Sequence, residues 1–312
     1  MMTGFVLVRN LRSPSEVLHF ANFKLVKIGS SHDYDLNRAQ HLFPKERPLY
    51  EDWVYERAYD DSDGWDRIPF ELEDALLLLR LFKTGDLFFV QPCIEHDDGS
   101  LSCQLQYPAM VDTHSTHRYE IKPEECSEFD KFASELLSQS NWSSSWFKIA
   151  RRFFLYGGGK EYNPGHDQVD RIVDYMTALE SILVPEKDFV GRRLRERAVS
   201  LLKSLEINLD DTRRLLSEFY SVRSAVVHGS SIISFKDTVL KKNMDFEATV
   251  RKIIVEAVKR VPHDDNSRKG FLEQLFDVCD QTRSEMVFSD FFSIKGQRER
   301  RTCFDRISNR LL

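Results

Sequence analysis

Cysteine is scarce in this chain. Five are present in 312 residues (Cys93, Cys103, Cys126, Cys279 and Cys303), an odd number with no CxxC pair. Zinc-type ligand spacing is therefore missing, a disulfide framework is not expected, and a reducing cytoplasm fits. Long apolar runs are missing too. The longest, Ala75-Leu-Leu-Leu-Leu79, is closed by Arg80, well short of the roughly 20 residues that span a bilayer. The N-terminus, MMTGFVLVRNLRSPSEVL, develops no apolar segment of signal-peptide character before its first charges, so no membrane partner is expected.

Several ligand frames are absent as well. Gly157-Gly-Gly-Lys160 lacks the GxxxxGK[ST] spacing and a preceding strand, so it reads as a turn. Asp60, Asp61, Asp63 and Asp66 lack the spacing and terminal glutamate of a calcium loop. His114 and His117 have no cysteine or carboxylate at matching intervals. No metal and no cofactor is expected. There is no internal repeat and no low-complexity tract.

Charge is present but divided. Residues 1–141 hold 14 Lys and Arg against 25 Asp and Glu, a net −11, whereas residues 142–312 hold 30 against 25, a net +5. Asymmetry of this kind is a composition-level hint of a nucleic-acid partner. The alternative is a surface whose charge drifts between domains without consequence.

The pattern also changes along the chain, which is long enough for about two domains. Residues 1–140 read as a mixed α+β sensing or regulatory domain. Strands are expected at Phe5–Val8, Phe23–Ile28, Leu87–Val90, Ser102–Tyr107 and Tyr119–Lys122, with a hairpin turn at Asp97-Asp-Gly99. A helix start is expected at Ser13-Pro-Ser-Glu-Val and a short helix over 71–82. From Glu124 onward helical spacing dominates. Expected helices are 124–139, 142–155 (broken by Gly157-Gly-Gly159), one from Asp167 to Pro185, 191–205, one capped by Asn208 or Asp210 and ended by Gly229, 246–261 and 269–279. In the helix ending at Gly229 the buried stripe reads Leu215, Phe219, Val222 and Val226. Trp142 and Trp146 are expected in the helical core.

That same helix carries the most chemistry-bearing stretch, Arg223-Ser-Ala-Val-Val-His228-Gly229. A guanidinium can hold a phosphate in a fixed fork, and an imidazole can move a proton near neutral pH. At about 100° per residue the two side chains lie about 140° apart. One copy would not stack them directly, but a symmetric pairing of the helix would bring two of each into one cleft. The bland alternative is a surface ion pair and a histidine at a helix end. Glu180, near the apolar face of its own helix, needs a partner; Arg197 or Arg223 could serve. Arg192, Arg193 and Arg195 form a basic helix start that could track a phosphate backbone, continued by Lys241-Lys242, Arg251-Lys252, Lys259-Arg260 and Arg268-Lys269.

Three segments in succession, Asp174-Tyr-Met-Thr-Ala-Leu-Glu180-Ser-Ile-Leu183, Leu194-Arg-Glu-Arg197-Ala and Phe219-Tyr-Ser-Val-Arg223-Ser-Ala-Val-Val-His228-Gly229, resemble the HEPN superfamily, and within it the Apea-like branch. The likeness covers roughly residues 145–280. It implies that residues 141–312 form an all-α HEPN helical bundle that homodimerises and cuts RNA without a metal. In that picture Arg223 grips the scissile phosphate and His228 activates the 2′-hydroxyl or protonates the leaving 5′-oxygen. The products would be a 2′,3′-cyclic phosphate and a 5′-hydroxyl. Ser224 replaces the Asn or Asp that many members carry after the arginine, and its hydroxyl would help orient substrate. The resemblance implies an anti-phage or toxin-like ribonuclease, with a non-catalytic RNA- or protein-binding module as the alternative. An acidic N-terminal half lying over the basic face would restrain such a nuclease.

Overall fold

The computed structural model of the chain describes residues 2–30, 34–44, 46, 48–59, 68–103, 118–159, 168–230 and 236–276. Strand β1 (Met2–Arg9) lies inside a six-stranded antiparallel sheet with β3 (Val17–His19), β4 (Lys24–Lys27), β5 (Trp53–Tyr59), β6 (Phe88–Glu95) and β7 (Leu101–Cys103), in the order β3-β4-β5-β1-β6-β7. A separate parallel pair joins β2 (Leu11–Arg12) to β8 (Tyr119–Glu120). Both faces of the large sheet are covered, which is why β1 reads as a continuous apolar run rather than an alternation. Phe5 and Leu7 pack with Ala39 and Leu42 of helix α1 (Leu36–Leu42). Val6 and Val8 belong instead to the cluster that includes helix α2 (Ile68–Phe82).

The remainder is helical: α3 (Cys126–Leu137), α4 (Ser145–Gly159), α5 (Gln168–Leu183), α6 (Val190–Leu201), α7 (Leu209–Val227), α8 (Lys236–Arg260) and a helix α9 over 265–276. An antiparallel-sheet region followed by a helical region is thus the architecture. Helix α5 sits at the centre and packs against α4, α6, α7 and α8. Phe219 of α7 stacks on Phe246 of α8 with ring centroids 4.0 Å apart. Trp146 is buried, with Trp142 packed against the same core.

One hydrophobic cluster runs from the sheet into the helices, and arginine hydrogen bonds and one buried ion pair cross the same boundary. Arg80 of α2 donates to Leu155 O (3.1 Å) and to Tyr175 Oη (3.2 Å). Arg171 of α5 pairs with Asp86 (3.2 Å) and with Glu247 of α8. Arg251 of α8 donates to the carbonyls of Leu81 and Phe82.

Several expectations are corrected. Ser13-Pro-Ser-Glu-Val does not begin a helix. Ser15 Oγ donates to Val17 O (2.7 Å) and Ser13 Oγ accepts from Ser15 N (3.2 Å), a local side-chain turn that competes with helix. Val17–His19 then pairs with Lys24–Leu25–Val26 as a strand. The glycines 157–159 do not break α4 but end inside it. A methyl on Gly157 would meet the Tyr175 ring at 2.6 Å, and one on Gly158 would overlap the Arg80 guanidinium. These glycines permit close approach between α4, α5 and α2. In α7 the fully buried stripe is Leu216, Phe219 and Val222, while Leu215 is only partly buried. Strand β5 was not expected from the sequence, although its Trp-Val-Tyr run has strand character. Cys93 and Cys103 face each other directly across β6 and β7 and are disulfide-bonded. The pairing was not expected from spacing because only the strand register brings them together. The Asp60–Asp66 turn, His114, His117, Lys160, Lys241 and everything beyond residue 276 lie outside the described residues or side chains.

Candidate functional site

The site is built at the C-terminal end of α7. Asn208 caps the start of this helix, its Oδ1 accepting from the amides of Asp210 and Asp211 at 3.1 Å. The other end closes at His228 with a complete Schellman motif. The amide of Ser230 donates to Ala225 O (2.7 Å) and that of Gly229 to Val226 O (3.0 Å). Gly229 has φ +66°, a left-handed conformation that glycine adopts without the Cβ penalty. His228 is the C-cap residue, and its own amide donates to Ser224 O at 3.1 Å. Its side chain is exposed, and Val227 beside it is 52% exposed.

Arg223 stands five residues earlier. Its Nη2 donates to Glu180 Oε2 at 2.8 Å, linking α7 to α5, with the two side chains 22% and 17% exposed. Burial pushes the Glu180 carboxyl above its ordinary value, and the neighbouring guanidinium opposes that shift. Arg223 Nε and Glu180 Oε1 are buried without a hydrogen-bond partner. The pair thus joins α5 to α7 through one described hydrogen bond. Ser224 is half-buried in the same turn.

Arg197 is in a different environment. It is fully buried, donating to Leu272 O (2.9 Å) and Leu183 O (2.8 Å) and forming a two-pronged contact with Glu186 at 2.7 and 3.0 Å. Glu273 lies 3.3 Å from its Nη2. It ties the end of α5 and the following loop to α9, and its described bonds do not include Glu180. Of the two candidate partners for Glu180, Arg223 is the one observed.

The basic helix start is also drawn into internal contacts. Arg193 pairs with Glu273 (2.9 Å) and Glu186 (3.4 Å), while Arg195 contacts Glu196 (3.5 Å) and Ser217 Oγ (3.3 Å). Arg192 is exposed and lies over the Phe276 ring, 5.3 Å from its centroid. Further along, Lys242 pairs with Glu218, Lys259 with Glu135, and Arg260 and Arg268 donate to the carbonyls of Leu201 and of Ser181 and Ile182. Much of the positive charge in this half therefore joins helices rather than facing solvent. Glu186 and Glu273, which hold it, are not visible in the spacing of α6; they come from the loop after α5 and from α9.

The chemistry at the end of α7 is thus a guanidinium fixed by a carboxylate one helix away and an exposed imidazole in the last turn. Among the described residues no group of three or more His, Cys, Asp or Glu could hold a metal ion. No described helix is long and apolar enough to cross a membrane. Comparison with protein-family models, curated proteins and solved structures finds no match.

Proposed function

We propose that the chain is a metal-independent endoribonuclease of HEPN type, working as a homodimer through its helical region. The observation that carries this reading is the Arg223–Glu180 pair on the same helix end as the exposed His228. Glu180 positions the guanidinium through a single described bond, to Nη2, and a guanidinium carries further N–H donors suited to phosphate oxygens. Arg223 then stabilises charge developing on the scissile phosphate. His228 takes the proton of the 2′-hydroxyl or gives one to the 5′-oxygen. The attacking 2′-oxygen forms the cyclic phosphate as the bond to the 5′-oxygen breaks. The exposed Val227 next to His228 is apolar surface that a second copy of α7 would cover, which would bring the two Arg–His sets together. Cytoplasmic action against phage or host RNA is part of the same proposal.

A binder that does not cut is the second reading. It is favoured by the internal use of Arg193 and Arg195, which leaves little free charge at the α6 start to hold an RNA chain in register for cleavage. Purified protein incubated with a mixed RNA pool in EDTA separates the two. Cleavage that survives chelation and disappears in both Arg223→Ala and His228→Ala supports the enzyme. RNA affinity without cleavage supports the binder, and equal cleavage by the variants and the parent removes the proposed site.

A further inference from the structure

The N-terminal half carries a net −11, yet the cavity of about 450 Å³ between the β2–β8 pair and the ends of β4 and β5 is lined by five cations. Arg12 of β2, Lys27 at the end of β4, Lys83 after α2, and Arg118 and Lys122 flanking β8 converge on it. These are five of the 14 Lys and Arg in residues 1–141. Only two carboxylates, Glu51 and Glu120, share the lining. A surface whose charge merely followed composition would show the opposite balance.

The cations are not all committed to these carboxylates. Lys83 is tied to Glu125 at 2.9 Å. Arg12 and Glu120 stand 3.9 Å apart, and Arg118 and Glu51 3.8 Å, beyond hydrogen-bond length. Among the described ion pairs, none involves Lys27 or Lys122. Beneath them Leu11, Trp53 and Ile121 are almost wholly buried and form a rigid floor. The backbone that presents the cations is fixed as well. Ile121 N donates to Arg12 O at 3.0 Å, Lys27 N donates to Glu16 O at 2.9 Å, and Lys27 is in register with Trp53. The cavity also falls within the roughly 300–1,000 Å³ range of small-molecule sites.

We infer that this cavity binds a small molecule bearing two or more linked phosphates. Lys27 and Lys122 would supply point charges, and Arg12 and Arg118 would turn from their loose carboxylate contacts to grip phosphate oxygens. The site lies apart from Arg223 and His228, and the inference does not depend on the ribonuclease reading.

The test uses the full chain in isothermal titration with sodium tripolyphosphate, ATP and adenosine. Both phosphate compounds are expected to bind and adenosine is not. Affinity should fall as salt rises. Each of Lys27→Glu and Lys122→Glu should weaken binding about tenfold or more, and the double variant about 100-fold or more, with the unliganded melting temperature checking that the variants fold. ATP binding more tightly than tripolyphosphate identifies a nucleotide ligand, and equal binding identifies the phosphate chain as the recognised group. No binding by either compound overturns the inference. Binding unaltered in the double variant also overturns it.

Discussion

Arg197 and Arg223 sit on neighbouring helices of one bundle, and each meets a glutamate, but their surroundings separate their roles. Arg197 is fully buried and has its donors spread over two carbonyls and Glu186. Arg223 is 22% exposed, held through one described bond, five residues before the exposed His228 on the same helix. A saturated buried guanidinium has nothing left to offer a ligand, and removing it strands its partners. A partly satisfied one at a rim can act on something that arrives. The contrast lies in burial and hydrogen-bonding: Arg197 is saturated inside the bundle, whereas Arg223 has one described bond near its surface.

The largest effect that would test this contrast is on stability. Arg197→Ala is expected to destabilise the fold by about 3 kcal/mol or more, because it uncovers the Leu183 and Leu272 carbonyls and leaves Glu186 with only the longer Arg193 contact. Urea denaturation measures this; a cost under about 1 kcal/mol would erase the distinction. Next come Arg223→Ala and His228→Ala. Each should lower RNA cleavage in EDTA about 100-fold or more; stability should change by about 1 kcal/mol or less in His228→Ala, and in Arg223→Ala, which leaves the half-buried Glu180 unpaired, by less than in Arg197→Ala. A large drop in melting temperature for Arg223→Ala would make it a second structural arginine.

Gly229→Ala gives a smaller change. A Cβ there meets nothing within 4 Å, so the cost is only that of holding alanine at φ +66°, about 1 kcal/mol. If the Schellman closure also fixes His228, cleavage should fall in the same variant, and unchanged cleavage would release the imidazole from that constraint.

The sheet supplies a third arginine–carboxylate pair and the mildest test. Asp52 is buried, lies 3.6 Å from Arg9, and accepts from Leu49 N at 2.9 Å. Desolvation nonetheless raises its pKa to about 6 from 3.8, with the Leu49 amide and Arg9 opposing the rise. The folded state therefore holds this proton more tightly than the unfolded state, so its contribution makes stability fall as pH rises between about 4 and about 6. Asp52→Asn should flatten that segment of the stability–pH curve. An unchanged slope would mean that Arg9 compensates the buried charge fully.

Restraint of a nuclease by the acidic half is better probed by point substitutions than by removing residues 1–140. Arg80 and Asp86 come from that segment and are buried against Tyr175 and Arg171 of the helices. Truncation would leave Arg171 short of a carboxylate inside the bundle, mixing loss of restraint with loss of fold.

Local chemistry made much of the molecule legible in the sequence alone. Helical periodicity placed α2, α5, α6 and α7, Asn208 supplied a cap and Gly229 a stop, and Asp97-Asp-Gly99 supplied a turn, where Gly99 N donates to His96 O at 2.8 Å. Each of these depends on a residue and its near neighbours along the chain. Contacts between distant segments decided the rest. Glycines 157 and 158 end a helix in which Tyr175 and Arg80 occupy the space a side chain would need. Cys93 finds Cys103 through strand register. Glu180 takes Arg223 because helix packing commits Arg197 to Glu186 instead. Five cations scattered from residue 12 to residue 122 meet around one cavity. Spacing specifies which way a side chain leaves its own backbone, but a partner many residues away is set only when the core has closed.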